Sequence, residues 1–340
     1  MEQSLKLSPR KLAQYTVSFL LAAALFWYLY REQDLGQMLA NIAKANFWWI
    51  GASVVVSLWA HLSRGIRWAI MLKPLGYHTG DTRPFLAVMV GYLANLVFPR
   101  MGEVSRSLVL QRLRGVPFNI SFGAVIAERV IDLLMLIVLT GVAFLVEFDR
   151  LRDFLASWFS SQPGGSGTSG KWLLLAGLGG LALLGGLVLY QFRQRILAHP
   201  LATKALAFLA GLKDGLLSIG KLTARDRVLF GLHTIIIWLN YYLTSYVLFF
   251  SVAPTAHLDW HCALAILAMS GISIVAPAPG GIGVYHALIA GTLVAYGVAE
   301  SPAKEFAFMA HSSQMLMFIV VGGACLLLSL GLKPEKVGGG

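Results

Sequence analysis

Apolar runs long enough to cross a bilayer recur along this chain from Gln14 to Leu330, and no other feature narrows its possible folds as far. A helix needs about 20 apolar residues to cross about 30 Å of hydrocarbon. Because the runs continue to the C-terminus, none is a signal peptide alone, and the chain as a whole is the membrane domain. Charge content agrees: 13% of the 340 residues are charged and 57% hydrophobic, whereas a soluble domain carries roughly 25% charged residues.

Six full spans are expected: Gln14 to Tyr30, Phe47 to Ala60 (reaching Trp68 if its arginines sit at the boundary), Ser121 to Phe148, Trp172 to Phe192, Val228 to Val252 and Ala307 to Leu330. Two further apolar stretches are interrupted. Pro84 to Gly115 is broken by Pro99-Arg100-Met101-Gly102, and Trp260 to Gly297 by Pro277-Ala278-Pro279-Gly280-Gly281-Ile282-Gly283. Proline removes a backbone donor and glycine favours non-helical backbone, so each break exposes polar groups that lipid cannot satisfy. The economical reading is a pair of re-entrant hairpins facing protein or water, with Pro99, Gly102, Pro277, Pro279, Gly280, Gly281 and Gly283 as gate or hinge. The alternative is eight ordinary transmembrane helices with proline kinks.

Charge placement orients the spans. With the N-terminus inside, only Arg31, Lys44, Arg150, Arg152, Lys171 and Lys304 of the 27 basic residues fall outside, and Arg129 lies within a span. Both termini are therefore expected on the cytoplasmic side of a bacterial inner membrane. Hairpin one then enters from the cytoplasm and hairpin two from outside, so the halves, about 47–148 and 228–332, form an inverted repeat within one all-α polytopic domain over 1–337. Inverted repeats with broken helices mark a secondary-transporter architecture whose site lies near the midplane. Residues 160–170 read as a flexible external loop, 193–227 as cytoplasmic interfacial helices, and 338–340 as a tail or cloning remnant.

An ionisable residue inside a membrane is expensive and points to function. The densest group is Glu128-Arg129-Val130-Ile131-Asp132, where helical spacing lets Arg129 pair with Asp132 and leaves one negative charge in need of a cation. Hairpin one supplies Asn95, Arg100, Glu103 and Arg106. Its arginines suit a lipid phosphate, with help from a half-helix N-terminus, and suit equally well an internal pairing with Glu128 and Asp132. Arg64 and Arg67 close the second span, where snorkelling to the interface competes with a substrate role. His286 follows the second break, and His311 and Gln314 sit on the last span. These two imidazoles could relay a proton, contact a headgroup or be structural.

Several classes have little support. The basic residues lie in short segments between spans, which fits topology and anionic lipid better than nucleic acid. Cys262 and Cys325 sit in apolar helical sequence and read as small buried hydrophobes. His257 and His261 are four apart, but no third ligand accompanies them and no metal or cofactor is expected. No Walker loop, Rossmann fingerprint or GxSxG motif is present.

Taken in order, Arg64 to Trp68, the stretch Asn95 to Arg106, the Glu128-Arg129 to Asp132 group and Pro279 to Val284 resemble the transmembrane region of lysylphosphatidylglycerol synthases. That flippase-like family also occurs as stand-alone proteins, and the resemblance runs over most of the chain. In its two-part members this region is taken to translocate an aminoacylated phospholipid made by a cytoplasmic synthase domain. This sequence stops after the membrane region, so the resemblance implies lipid handling without lysyl transfer. It also implies a membrane lipid as substrate and a separate lipid-modifying synthase or glycosyltransferase as partner. Tyr285 and His286 stand where many members carry a charged residue, which leaves the headgroup open. The expected function is a lipid flippase or scramblase, not an enzyme. Its rival is a membrane enzyme or enzyme subunit for lipid-linked glycans or aminoacyl-lipids, with Glu103 or Glu128 as base.

Overall fold

The computed structural model describes residues 20, 23–80, 82–98, 101–147, 220–273 and 281–335. After a helical stretch at 23–30 come α1 (Leu35–Ala43), α2 (Phe47–Leu72), α3 (Thr82–Val97), α4 (Gly102–Arg114) and α5 (Phe118–Val146). The second half holds α6 (Ala224–Leu248), α7 (Trp260–Ser273), α8 (Val284–Ala295) and α9 (Glu300–Gly331). The protein is an all-α integral membrane protein. Helices α5, α6 and α9 are long and apolar enough to cross a bilayer. Helix α2 matches them in length, with 26 residues, but carries His61, Arg64 and Arg67. The expected span Trp172 to Phe192 and part of Gln14 to Tyr30 (14–19, 21 and 22) lie outside the described residues, as do the loop 160–170 and residues 193–219.

Both broken stretches form hairpins too short to cross. Helices α3 and α4, with 16 and 13 residues, reach about 24 and 20 Å at 1.5 Å per residue. Their open ends share one side: Arg83, at the start of α3, donates to the Leu113 carbonyl at the end of α4 (3.4 Å). Their closest approach is glycine on glycine, where a Cβ on Gly91 would sit 2.7 Å from the Gly102 carbonyl oxygen. Small residues that let backbones touch are how helices associate in lipid, which supplies no hydrophobic drive of its own. Helices α7 and α8 are shorter still, at 14 and 12 residues. Gly283, at φ 82°, turns the chain into α8, and its amide donates to His286 Nδ1 (3.2 Å).

The packing is two-fold and inverted. Helix α2 packs on α3, α3 on α4 and α4 on α5, matched in the second half by α6 on α7, α7 on α8 and α8 on α9. The first arm of each hairpin also crosses to the last helix of the other half, α3 to α9 and α7 to α5. The equivalent helices α2 and α6 run antiparallel: the Asn46 amide donates to the Ser251 carbonyl at one end (2.7 Å), and Lys73 pairs with Asp226 at the other (2.7 Å). Equivalent elements running in opposite directions make the repeat an inverted one. Each half has its own apolar core, with Trp68, Leu72, Val88, Leu110 and Val125 in one and Phe249, Ile266, Ile289, Leu293 and Phe306 in the other.

Candidate functional site

The polar residues that the spans should not tolerate meet where hairpin one, α2, α5 and α6 converge. Glu128 and Asp132 share a face of α5, and both are buried. Arg106, in α4, reaches Glu128 (2.5 Å) and lies over the Trp68 ring, 4.7 Å from its centroid. Arg67 bonds Asp132 (2.7 Å), Glu128 (3.4 Å) and the Thr234 hydroxyl of α6 (3.2 Å). Arg64 takes the other Asp132 oxygen (2.9 Å) and donates to the Tyr241 hydroxyl, also of α6 (3.0 Å). Each carboxylate thus holds two guanidinium groups, which offsets the several kcal/mol that burying each ion costs.

Two sequence expectations need correction. Arg64 and Arg67 do not snorkel, being 3% and 0% exposed; α2 carries these arginines inward along its buried face, where they pair with the carboxylates of α5. Arg129 pairs with Glu103 of hairpin one (2.8 Å) and not with Asp132, because Arg64 and Arg67 already occupy both oxygens of Asp132. Asn95 also acts locally on the backbone, where its side-chain oxygen accepts from the Gly102 amide (2.6 Å) and caps the half-helix α4. Gly102 therefore marks the tight contact of the hairpin tip. Arg100, Pro99, Pro277, Pro279 and Gly280 lie outside the described residues.

The described cluster sets Arg64, Arg67, Arg106 and Arg129 against Glu103, Glu128 and Asp132, leaving one positive charge in excess. That excess borders a narrow recess lined by Arg64, Val88, Gly91, Tyr92, Asn95, Gly102, Arg106 and Arg129. Arg129 is exposed there, about 16 Å along α5 from its start at Phe118 by helical rise. Among the described residues, Arg64 Nε and Arg106 Nε are buried without a hydrogen-bond partner.

A second polar group adjoins the first. Ser57 donates to the Gln314 carbonyl oxygen (2.8 Å) and lies 3.5 Å from His61 Nε2. One turn back along α9, His311 stacks on Tyr285 (ring centroids 5.0 Å apart) and meets His286 edge-on (4.7 Å). The sequence pointed to His286, His311 and Gln314, and missed Ser57, His61, Tyr92, Thr234 and Tyr241. The spacing of Ser53, Ser57, His61 and Arg64 along α2 was the available signal, since it forms one polar stripe into the arginines. In the loop before α7, Asp259 accepts from the His261 ring (2.8 Å) and from the His261 and Cys262 amides. Cys262 and Cys325 are both buried.

Fold and site together define an inverted-repeat, all-helical membrane protein with a buried arginine–carboxylate network where its halves meet. The chain belongs to the lysylphosphatidylglycerol synthase transmembrane-region family, which it matches over residues 15–322. It is 26% identical over 325 residues to a Haloferax volcanii protein named glycosyltransferase AglD, a match covering 88% of this chain and 52% of that protein. It is also 26% identical over 149 residues to the UPF0104 membrane protein MJ1595 of Methanocaldococcus jannaschii, covering 42% of this chain and 43% of that one. The aligned regions thus span about half the length of these curated relatives or less. No solved structure matches.

Proposed function

We propose that this protein moves a phosphate-bearing lipid across the membrane, with the headgroup phosphate held in the recess beside Arg64, Arg106 and Arg129. The observation that carries this reading is the unneutralised positive charge at that recess, at the interface of inverted repeats. Arginine binds phosphate through paired donors, and the two partnerless Nε groups supply donors not already committed. A phosphate bound there would bring the local charge back to zero, while acyl or prenyl tails remain in lipid. Such a path spares the headgroup most of the desolvation that opposes unassisted crossing.

The membrane is the inner one and the Lys73–Asp226 end faces the cytoplasm in this reading. Arg83, Arg112, Arg114, Arg225, Arg227 and Lys333 gather at that end, against Arg31, Lys44 and Lys304 at the other. The protein acts without cofactor or catalysis, on a lipid that a separate synthase or glycosyltransferase makes or uses. The test is reconstitution into liposomes with headgroup-labelled phospholipids, following loss of access to an external quencher. Translocation by the wild type that falls at least tenfold in Arg106→Ala, with folding retained, is the expected result. Translocation unchanged by Arg106→Ala would refute the site.

A second reading, participation in lipid-linked glycan synthesis, draws on the name of the Haloferax relative and on Glu103, whose second carboxylate oxygen is buried without a hydrogen-bond partner among the described residues. Product formation by the purified protein with a sugar nucleotide and a polyprenyl phosphate would favour it.

A further inference from the structure

The group formed by Ser57, His61, Tyr92 and Gln314 lies directly beside the arginine recess. Tyr92 belongs to both: it lines the recess, and its ring lies 4.4 Å from that of His61 between centroids. Along α2, His61 and Ser57 are three and seven residues from Arg64, about 4.5 and 10.5 Å by helical rise. The group draws on both repeats, α2 and α3 from the first and α9 from the second. Its floor is aromatic, with Tyr92 stacked on Phe318 at 3° and 4.7 Å and His61 5.4 Å from the same ring.

Two of its hydrogen-bonding atoms, His61 Nδ1 and Gln314 Nε2, are buried with no partner among the described residues. Leaving such atoms unmade is costly, so each of these two atoms, joined through Ser57 into one polar group, calls for a partner. None of the group's described hydrogen bonds or ring contacts involves a carboxylate. An ammonium headgroup would find no counter-charge there and would add to the positive excess one turn away. Hydroxyl groups fit: they donate to an imidazole nitrogen, accept from an amide, and the carbon face of a polyol ring can lie on aromatic rings.

We infer that Ser57, His61, Tyr92 and Gln314 form a second, uncharged station that binds hydroxyl groups, so that the lipid handled carries a polyol or sugar on its phosphate. This rests on the phosphate site proposed above and assigns the part of the headgroup beyond the phosphate. It places His61, on the stripe of α2, as a specificity-determining residue next to Arg64.

The test compares phosphatidylinositol with phosphatidylmethanol of the same acyl chains, bound to the full chain in detergent micelles and measured by native mass spectrometry. The wild type is expected to hold phosphatidylinositol about tenfold tighter, equivalent to about 1.4 kcal/mol. Gln314→Met and His61→Ala should each bring that ratio toward one while leaving phosphatidylmethanol affinity unchanged. Equal affinities in the wild type, or a preference that survives both substitutions, would overturn the station and leave the phosphate site standing. Failure of the wild type to bind either lipid would overturn both. If one variant fails to fold, the other and Ser57→Ala carry the comparison.

Discussion

Removing one carboxylate from the network should cost more than removing one arginine, and the geometry sets the difference. Asp132 accepts from Arg64 (2.9 Å) and Arg67 (2.7 Å) at once. Asp132→Asn therefore deprives Arg64 of its carboxylate partner and Arg67 of the nearer of its two, and raises the local excess from one positive charge to two. Arg67→Met leaves each carboxylate one guanidinium, Arg64 for Asp132 and Arg106 for Glu128, and brings the cluster to neutrality. Breaking a buried pair from one side costs about 3–5 kcal/mol. We expect Asp132→Asn at or above about 5 kcal/mol and Arg67→Met near about 3 kcal/mol on that scale. Arg64→Met combined with Asp132→Asn restores an excess of one, so the double variant should be less damaged than the sum of its parts by about 1–3 kcal/mol. The assay is reversible unfolding in mixed detergent micelles for the wild type, the three single variants and the double one. Asp132→Asn costing less than Arg67→Met, or additivity within about 0.5 kcal/mol, would refute the shared-carboxylate account.

Other consequences are local. Gly91→Val places side-chain atoms against the Gly102 backbone and should abolish the folded monodisperse peak in size-exclusion chromatography, whereas Gly123→Ala, with open space around it, should leave the peak unchanged. Asn95→Ala removes the cap on the Gly102 amide and should cost about 1 kcal/mol, read by the same unfolding assay. At Asp259, partial burial works against the charged form, but the His261 ring and the amides of His261 and Cys262 prevail and hold the carboxyl below its usual value. A depressed carboxylate stabilises the fold above its unfolded pKa and loses that contribution as pH falls through the folded one. Melting temperature should therefore drop below about pH 4 by a margin that Asp259→Ala, which lacks the carboxylate at every pH, reduces.

Much of the architecture was legible along the chain. The breaks at Pro99 to Gly102 and at Pro277 to Gly283 separated two pairs of short helices, and the inverted relation followed from counting crossings. Helix α9 began earlier than the hydropathy pattern suggested, at Glu300 and not near Ala307. Polar residues extend the helix there, with Lys304 pairing to Glu300 (2.7 Å) and accepting Tyr30 at its carbonyl oxygen (3.0 Å). The site was legible in part. That Glu128 and Asp132 needed cations was readable from their spacing, and Arg106 was a named candidate. Arg64 and Arg67 were misplaced because a terminal arginine on an apolar span looks the same in sequence whether it turns toward headgroups or toward carboxylates.

Membrane residence and the positions of the helix breaks were determined by the sequence alone, because the cost of placing charges and unpaired backbone in hydrocarbon is set segment by segment. Pairing was decided only by the tertiary structure. Arg67 and Asp132 are 65 residues apart, Ser57 and Gln314 are 257 apart, and no local rule ranks one distant partner over another. Which arginines are consumed by carboxylates, and which retain charge facing an open recess, follows from how two inverted halves bring α2, α4, α5 and α6 together, because buried electrostatics depends on distances that only packing sets.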